Sequence, residues 1–152
     1  MMSSFEKFTV VISGISRYVQ KIQRREMVKR GYKGAFAQYL TVLKRCEEGL
    51  TSTELCDICD KDKAAVSRII AEMEEKGLIE REKKNVRTYR SKIVLTEKGK
   101  EVAEYVEERS RAAVAVVSEG VMDDSQRETI YATLDLLYKN LQKINSEGLP
   151  QD

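Results

Sequence analysis

The 152-residue chain contains no histidine. That removes the commonest general base and the commonest zinc ligand at once. Cysteine is scarce, limited to Cys46, Cys56 and Cys59, and an odd count argues against a disulfide framework. The single proline, Pro150, stands near the end, so nothing breaks the long helical patterns before it. No apolar run approaches the ~20 residues that a membrane helix needs. The start, Met1 to Phe8, lacks the basic region and apolar stretch of a secretory signal, so a cytoplasmic location without membrane association is expected. There is no Gly-rich phosphate loop, no nucleophile with a base and no metal-ligand spacing. An enzyme is therefore disfavoured, with no catalytic residue, metal or cofactor expected.

What is present suits a globular chain of about one domain. Hydrophobic residues make up 41% and charged residues 34%, enough for a core that needs no staples. The net charge of +2 hides an asymmetry. Residues 1–50 carry 10 Lys/Arg against 4 Asp/Glu, residues 51–100 carry 12 against 10, and residues 101–152 carry 5 against 11. A basic front and an acidic back suit a protein that turns one side toward a polyanion, although solvated helices can be equally charged.

Helical spacing dominates both ends. Phe5, Phe8, Ile12, Ile15, Val19 and Ile22 follow steps of three and four, placing one apolar stripe on a first helix. A basic stretch follows, and then Gly31 and Gly34 separate it from a second helix of about Ala35 to Cys46. That helix is expected to bury Phe36, Tyr39, Leu40 and Leu43. Toward the other end Val102, Val106, Arg109, Ala113 and Val116 repeat with steps of four and three. Asp123 with Gln126 reads as a capping box opening a last helix, where Ile130, Leu134, Leu137, Leu141 and Ile144 continue the pattern. Three such stripes exceed what one small core can cover. Pairing with a second copy through Phe5, Phe8, Ile12, Ile15, Leu134, Leu137 and Leu141 is favoured over an intramolecular bundle.

The stretch from Leu50 to Thr96 carries the functional signal. Thr51-Ser52-Thr53-Glu54 fits a capping box opening a short helix with Leu55, Ile58 and Cys59 inward. Asp60-Lys61-Asp62 breaks it, and Asp62 is placed to cap a further helix of about Lys63 to Lys76, closed by Gly77. Two helices joined by so short a turn form a helix-turn-helix unit. On the second, Val66, Ile69, Ile70 and Met73 share one face, while Ala64, Ser67, Arg68, Ala71 and Glu75 share the other. Small residues let a backbone settle into a major groove, and Arg68 can fork onto a guanine edge or a phosphate. Leu78 to Arg81 then reads as a strand, Lys83 to Arg87 as a turn, and Thr88 to Leu95 as a second strand. From Arg81 to Lys92 there are six Lys/Arg and one Glu. A cationic ribbon directly after a helix-turn-helix is a wing suited to the minor groove or to phosphates. A plain helical hairpin with a lysine-protected edge is the bland alternative.

These segments resemble the MarR family of bacterial regulators. The resemblance rests on Asp62-Lys63-Ala64-Ala65-Val66-Ser67-Arg68, on Glu75-Lys76-Gly77-Leu78-Ile79-Glu80-Arg81 leading into the wing, and on Leu95-Thr96-Glu97-Lys98-Gly99 leading out of it. It implies a mainly α (α+β) winged helix-turn-helix fold as a single domain over 1–152. Residues 5–30 and 97–146 would supply dimerisation helices and 35–96 the DNA-binding region. It also implies a homodimer on a pseudo-palindromic operator in double-stranded DNA, usually as a repressor, released by a small aromatic or phenolic effector. By position, Lys63, Ala64, Ser67 and Arg68 would face the groove, and Thr51 and Ser52 would contact phosphates. Lys83, Lys84, Arg87 and Arg90 would serve the wing. Family wings carry an Asp-Arg pair that is missing here: aligned without a gap, Arg87 falls on the Asp and Thr88 on the Arg. Whether Arg87 or Arg90 takes the groove position stays open. Tyr18, Tyr39 and Tyr105 are candidates to line an effector pocket.

Cys56 and Cys59 form a C-x-x-C, and some members of this family sense oxidants through cysteine. Both fall inside a short helix at positions suited to packing, which is preferred to redox sensing. Zinc would need two further ligands, with only Cys46 and carboxylates left to supply them. A winged-helix module that binds a partner protein is the rival from another class; the face of Ala64, Ser67 and Arg68 offers no apolar patch for it.

Overall fold

The computed structural model describes residues 1–82 and 91–150. It divides into two compact units, Met1–Ala112 and Ala113–Asp152. The first contains helices α1 (Ser4–Lys29), α2 (Phe36–Arg45), α3 (Ser52–Cys59) and α4 (Lys63–Glu75), strands β1 (Ile79–Arg81) and β2 (Ile93–Leu95), and the first part of α5 (Glu97–Ser118). The second contains the end of α5 and all of α6 (Asp124–Glu147). This is the mainly α winged helix-turn-helix architecture expected from the sequence.

Local chemistry explains where each helix begins. Thr51 Oγ1 accepts from the Glu54 amide at 3.2 Å, and Glu54 Oε2 accepts from the Thr51 amide at 2.7 Å, so the expected capping box forms. Ser3 with Glu6 makes another at α1, and Asp123 with Gln126 makes the expected one at α6. Asp62 caps α4 by accepting from the Ala65 amide at 2.7 Å. Removing such a cap costs about 1 kcal/mol. Between α3 and α4, Asp60 takes a left-handed conformation (φ 51°), a region that Asp tolerates better than most residues. That reverses the chain within a three-residue turn.

The core of the first unit lies among α2, α3, α4, the sheet and the start of α5. Phe36, Leu40, Leu55, Val66, Ile70, Met73, Leu78, Ile93 and Val106 are almost wholly enclosed, together with Met27 from the end of α1. Each large apolar side chain taken fully from water contributes about 1.5–3 kcal/mol. The strands pair antiparallel, with Ile79 opposite Leu95, Glu80 opposite Val94 and Arg81 opposite Ile93. Leu50 joins them through a bridge to Ile93, N–H to O distances being 3.0 and 2.8 Å. The sheet face carrying Ile79, Ile93 and Leu95 is buried, which fixes the register.

One expected inward residue points out: Ile58 is 51% exposed. On an eight-residue helix only one narrow stripe can face the core, and Leu55 and Cys59 occupy it. Ile58 falls about 80° from the middle of that stripe at the helical 100° per residue.

A clasp joins the end of α4 to the start of α5. Gly77, at φ 71°, ends α4 in the left-handed conformation that favours glycine. Thr96 Oγ1 then donates to the Gly77 carbonyl at 2.6 Å and accepts from the Gly99 amide at 3.0 Å, while the Thr96 amide bonds the Leu78 carbonyl at 3.1 Å. Gly99 sits so close that a Cβ there would lie 1.9 Å from the Leu78 carbonyl oxygen. The spacing of Thr96 and Gly99 thus anchors the start of α5 to the end of α4 and the base of the sheet.

In the second unit α6 buries none of its residues within the chain. Among the described residues, no helix is long and apolar enough to cross a membrane.

Candidate nucleic-acid interface

Helix α4 is held from below by Val66, Ile70 and Met73, all nearly inaccessible, with Ile69 half-buried beside them. That side fixes the rotation of the helix. Lys63, Ala64, Ser67, Arg68 and Ala71 are all exposed on the other. The exposed surface is therefore small, hydroxylic and cationic over its first two turns, where the helix N-terminus adds partial positive charge. The capping Asp62 carboxylate partly offsets this.

Thr51 and Ser52 stand half-buried at the N-terminus of α3. The Thr51 hydroxyl is committed to the cap, since it also lies 3.0 Å from Glu54 Oε2. Bonds from the Thr51 amide and hydroxyl hold the Glu54 carboxyl below its ordinary pKa, so it stays ionised at that helix start.

At the wing, Glu82 donates its amide to the Lys92 carbonyl at 2.8 Å, extending the ladder one step past Arg81. The Arg81 guanidinium lies 3.9 Å from Glu74. Lys83, Lys84, Arg87 and Arg90 fall outside the described residues, as does the turn between the strands.

Of the pairing candidates, Phe5, Phe8, Ile12 and Ile15 on α1 are exposed, as are Leu137 and Leu141 on α6, and Leu134 is half-buried. Phe5 is 73% exposed, far more than a residue packed within its own chain.

The three tyrosines do not gather at one cleft. Tyr39 lines a cleft of about 320 Å³ between α1, the start of α2 and α4. Tyr105 lines a separate, open one with Arg30, Lys44 and Glu104. Tyr18 lies exposed on α1. Sequence reasoning missed the cluster around Tyr105: its hydroxyl donates to Glu26 at 2.7 Å, Lys29 pairs with the same carboxylate at 2.8 Å, and Arg109 approaches it at 3.5 Å. Arg30 stacks over the Tyr105 ring at 4.1 Å. The bonds from Lys29 and Tyr105 outweigh burial and hold the Glu26 carboxyl below the usual range.

The cysteines are free thiols, with Cys59 buried and Cys46 and Cys56 half-buried. Burial pushes the Cys59 thiol up, away from the thiolate that reacts with oxidants. Among the described residues no group of three or more potential ligands is placed to hold a metal.

Residues 30–85 match the model of the MarR family. No curated protein matches the chain. Solved structures share its fold, three of them as follows. A MarR family transcriptional regulator from Listeria monocytogenes, complexed with 26mer DNA, is 19% identical over 100% of this chain and 99% of its own, with a TM-score of 0.72. A MarR transcriptional regulator from Methanosarcina mazei is 24% identical over 91% and 99%, with a TM-score of 0.77. Staphylococcus aureus MarR, in complex with salicylate and kanamycin, is 19% identical over 90% and 91%, with a TM-score of 0.71.

Proposed function

We propose that the chain, whose residues 30–85 match the MarR family model, is a transcriptional regulator, not an enzyme, that binds a pseudo-palindromic operator as a homodimer and acts as a repressor in the cytoplasm. The observation that carries the reading is the face of α4. Lys63, Ala64, Ser67 and Arg68 stand exposed on a helix whose opposite side is locked into the core. A rigid helix with small residues and one forked cation at its leading end can enter a major groove and read base edges. The wing residues Lys83, Lys84, Arg87 and Arg90 would add contacts to phosphates or the minor groove. Thr51 and Ser52 would add phosphate contacts at the start of α3.

The homodimer is supported by the apolar surface of Phe5, Phe8, Ile12 and Ile15 on α1 and of Leu137 and Leu141 on α6, with Leu134 beside them. Monomeric soluble proteins rarely leave such continuous apolar stripes in water. A small aromatic effector belongs to the same reading, supported by the Tyr105 ring in an open cleft whose cations, Arg30, Lys44 and Lys100, stand among six glutamates.

The test is binding of the purified protein to DNA from upstream of its own gene, at two salt concentrations, with unrelated DNA as competitor. Tight binding that weakens steeply with salt and survives the competitor is expected. Binding that the competitor abolishes, at this site and in a selection from random duplexes, would overturn the reading in favour of a protein-binding winged helix.

A further inference from the structure

The cleft that Tyr39 lines runs along the flank of α4 rather than its outer face. Three cations line it, Arg24 from α1, Lys61 from the α3–α4 turn and Arg68 from α4, and no carboxylate does. Among the described residues none of the three has an ion-pair partner within 4.0 Å, whereas nearby Lys33 lies 2.6 Å from Glu72. The neutral lining also favours an acceptor: Gln20, Gln23 and Gln38 bring amides, Gln38 being held by the Cys59 carbonyl at 3.4 Å.

Tyr39 supplies the second observation. The residue is only 3% exposed, yet its hydroxyl makes no hydrogen bond among the described residues. It is also not sealed from outside, since it is absent from the fully enclosed side-chain oxygens and nitrogens that lack a hydrogen bond among the described residues. A buried phenol left unbonded is costly unless something in the cleft bonds it. Burial, with Cys59, Cys56 and Asp62 nearby, keeps this hydroxyl protonated and so a donor. The wall itself is built closely: a Cβ on Gly34 would lie 3.0 Å from Arg24 Cβ, so the glycine lets the chain lie flat against the Arg24 stem.

We propose that this cleft is a phosphate site, and that its occupant is a backbone phosphate of the DNA flanking the groove that α4 enters. Three cations and the buried Tyr39 line one small volume, and the cations match the acceptor oxygens and the charge of a phosphodiester. Arg68 stands at the edge shared by the cleft and the outer face, so occupation of the one positions the other. The inference rests on the regulatory reading above and adds Arg24, Lys61 and Tyr39 to the interface. They would fix register without carrying base preference.

The experiment measures operator binding over a salt series for the full-length protein and for Arg24→Gln, Arg25→Gln and Tyr39→Phe. Glutamine retains the Cβ and Cγ that meet Gly34, so the wall is kept. Each lost phosphate contact lowers the slope of log K against log salt by about 0.9. Arg24→Gln should lower it by about that much with base preference intact. Arg25→Gln, one residue along and outside the cleft, should lower it less. Tyr39→Phe should weaken binding with the slope kept.

In parallel, inorganic phosphate is titrated at constant ionic strength while the Arg24 Nε–H resonance is followed by NMR. An unchanged slope in Arg24→Gln, with a saturable phosphate shift in the wild type, would overturn DNA as the occupant and assign the site to a free anion. An unchanged slope with no shift would overturn the site altogether. If the wild type binds no DNA specifically, the regulatory reading fails by itself and so does DNA as the occupant. The phosphate titration then decides the site alone, a saturable shift supporting it and none overturning it.

Discussion

Glu26 shows how one side chain links two helices distant in sequence. It is nearly buried on α1, and it accepts from Lys29 and Tyr105 and faces Arg109. These partners stabilise the carboxylate, so its pKa in the folded chain lies below the unfolded value. Its stabilising contribution is therefore complete above the unfolded pKa of about 4.3 and is lost as pH falls through the folded one. Glu26→Gln should lower stability at pH 7 by about 1–3 kcal/mol. The gap to the wild type should start to narrow as pH falls below the unfolded value of about 4.3 and close only below the lower folded one, measured by thermal melts across pH. Gly99 gives a second case, and its effect does not depend on pH. Because a Cβ there would meet the Leu78 carbonyl, Gly99→Ala must push the start of α5 away from the end of α4. A loss of about 1–3 kcal/mol or more is expected in urea melts, with Gly14→Ala, where the added Cβ meets nothing within 4 Å, showing no such loss.

At the scale of elements, much of the fold was legible because helix starts are written locally. Thr51 with Glu54, Asp62 before Lys63, and Asp123 with Gln126 each place a cap within three residues of the amide it bonds, so spacing alone revealed them. Ser3 with Glu6 carried the same signal and was not read from it. The packed face of α4 was legible for the same reason, since Val66, Ile70 and Met73 repeat at helical steps over about two turns. Helix α3 is too short for that average, and Ile58 turned outward where an inward position was expected. Contacts between distant segments were not legible at all. Nothing local announces that Tyr105 will meet Glu26, 79 residues away, or that Gln20 and Arg24 of α1 will share a cleft with Lys61 and Arg68. The motif of Thr96 and Gly99 was visible as a resemblance, but its physical reason, one hydroxyl that donates to Gly77 and accepts from Gly99, with a glycine against a carbonyl, needed the structure.

For the whole molecule, the exposed apolar stripes and the charge asymmetry both bear on the proposed assembly. The first half of α1 and the length of α6 expose Phe5, Phe8, Ile15, Leu137 and Leu141. A charge placed there should cost little within one chain and much in a pair. Phe8→Asp with Leu141→Asp should yield a folded monomer in sedimentation equilibrium, with operator affinity reduced by at least tenfold because two half-sites no longer bind together. A wild-type monomer at micromolar concentration would contradict the assembly.

The central claim, that α4 reads DNA sequence, is tested most directly by comparing wild type and Arg68→Ala across an operator panel substituted one base pair at a time. The account predicts a loss of about 1–3 kcal/mol against the preferred operator and relaxed discrimination at one base pair in each half-site, with the rest of the profile unchanged. A uniform loss across the panel would reduce Arg68 to a phosphate contact. A profile that Arg68→Ala leaves unchanged in both affinity and preference would contradict the placement of α4 in the groove.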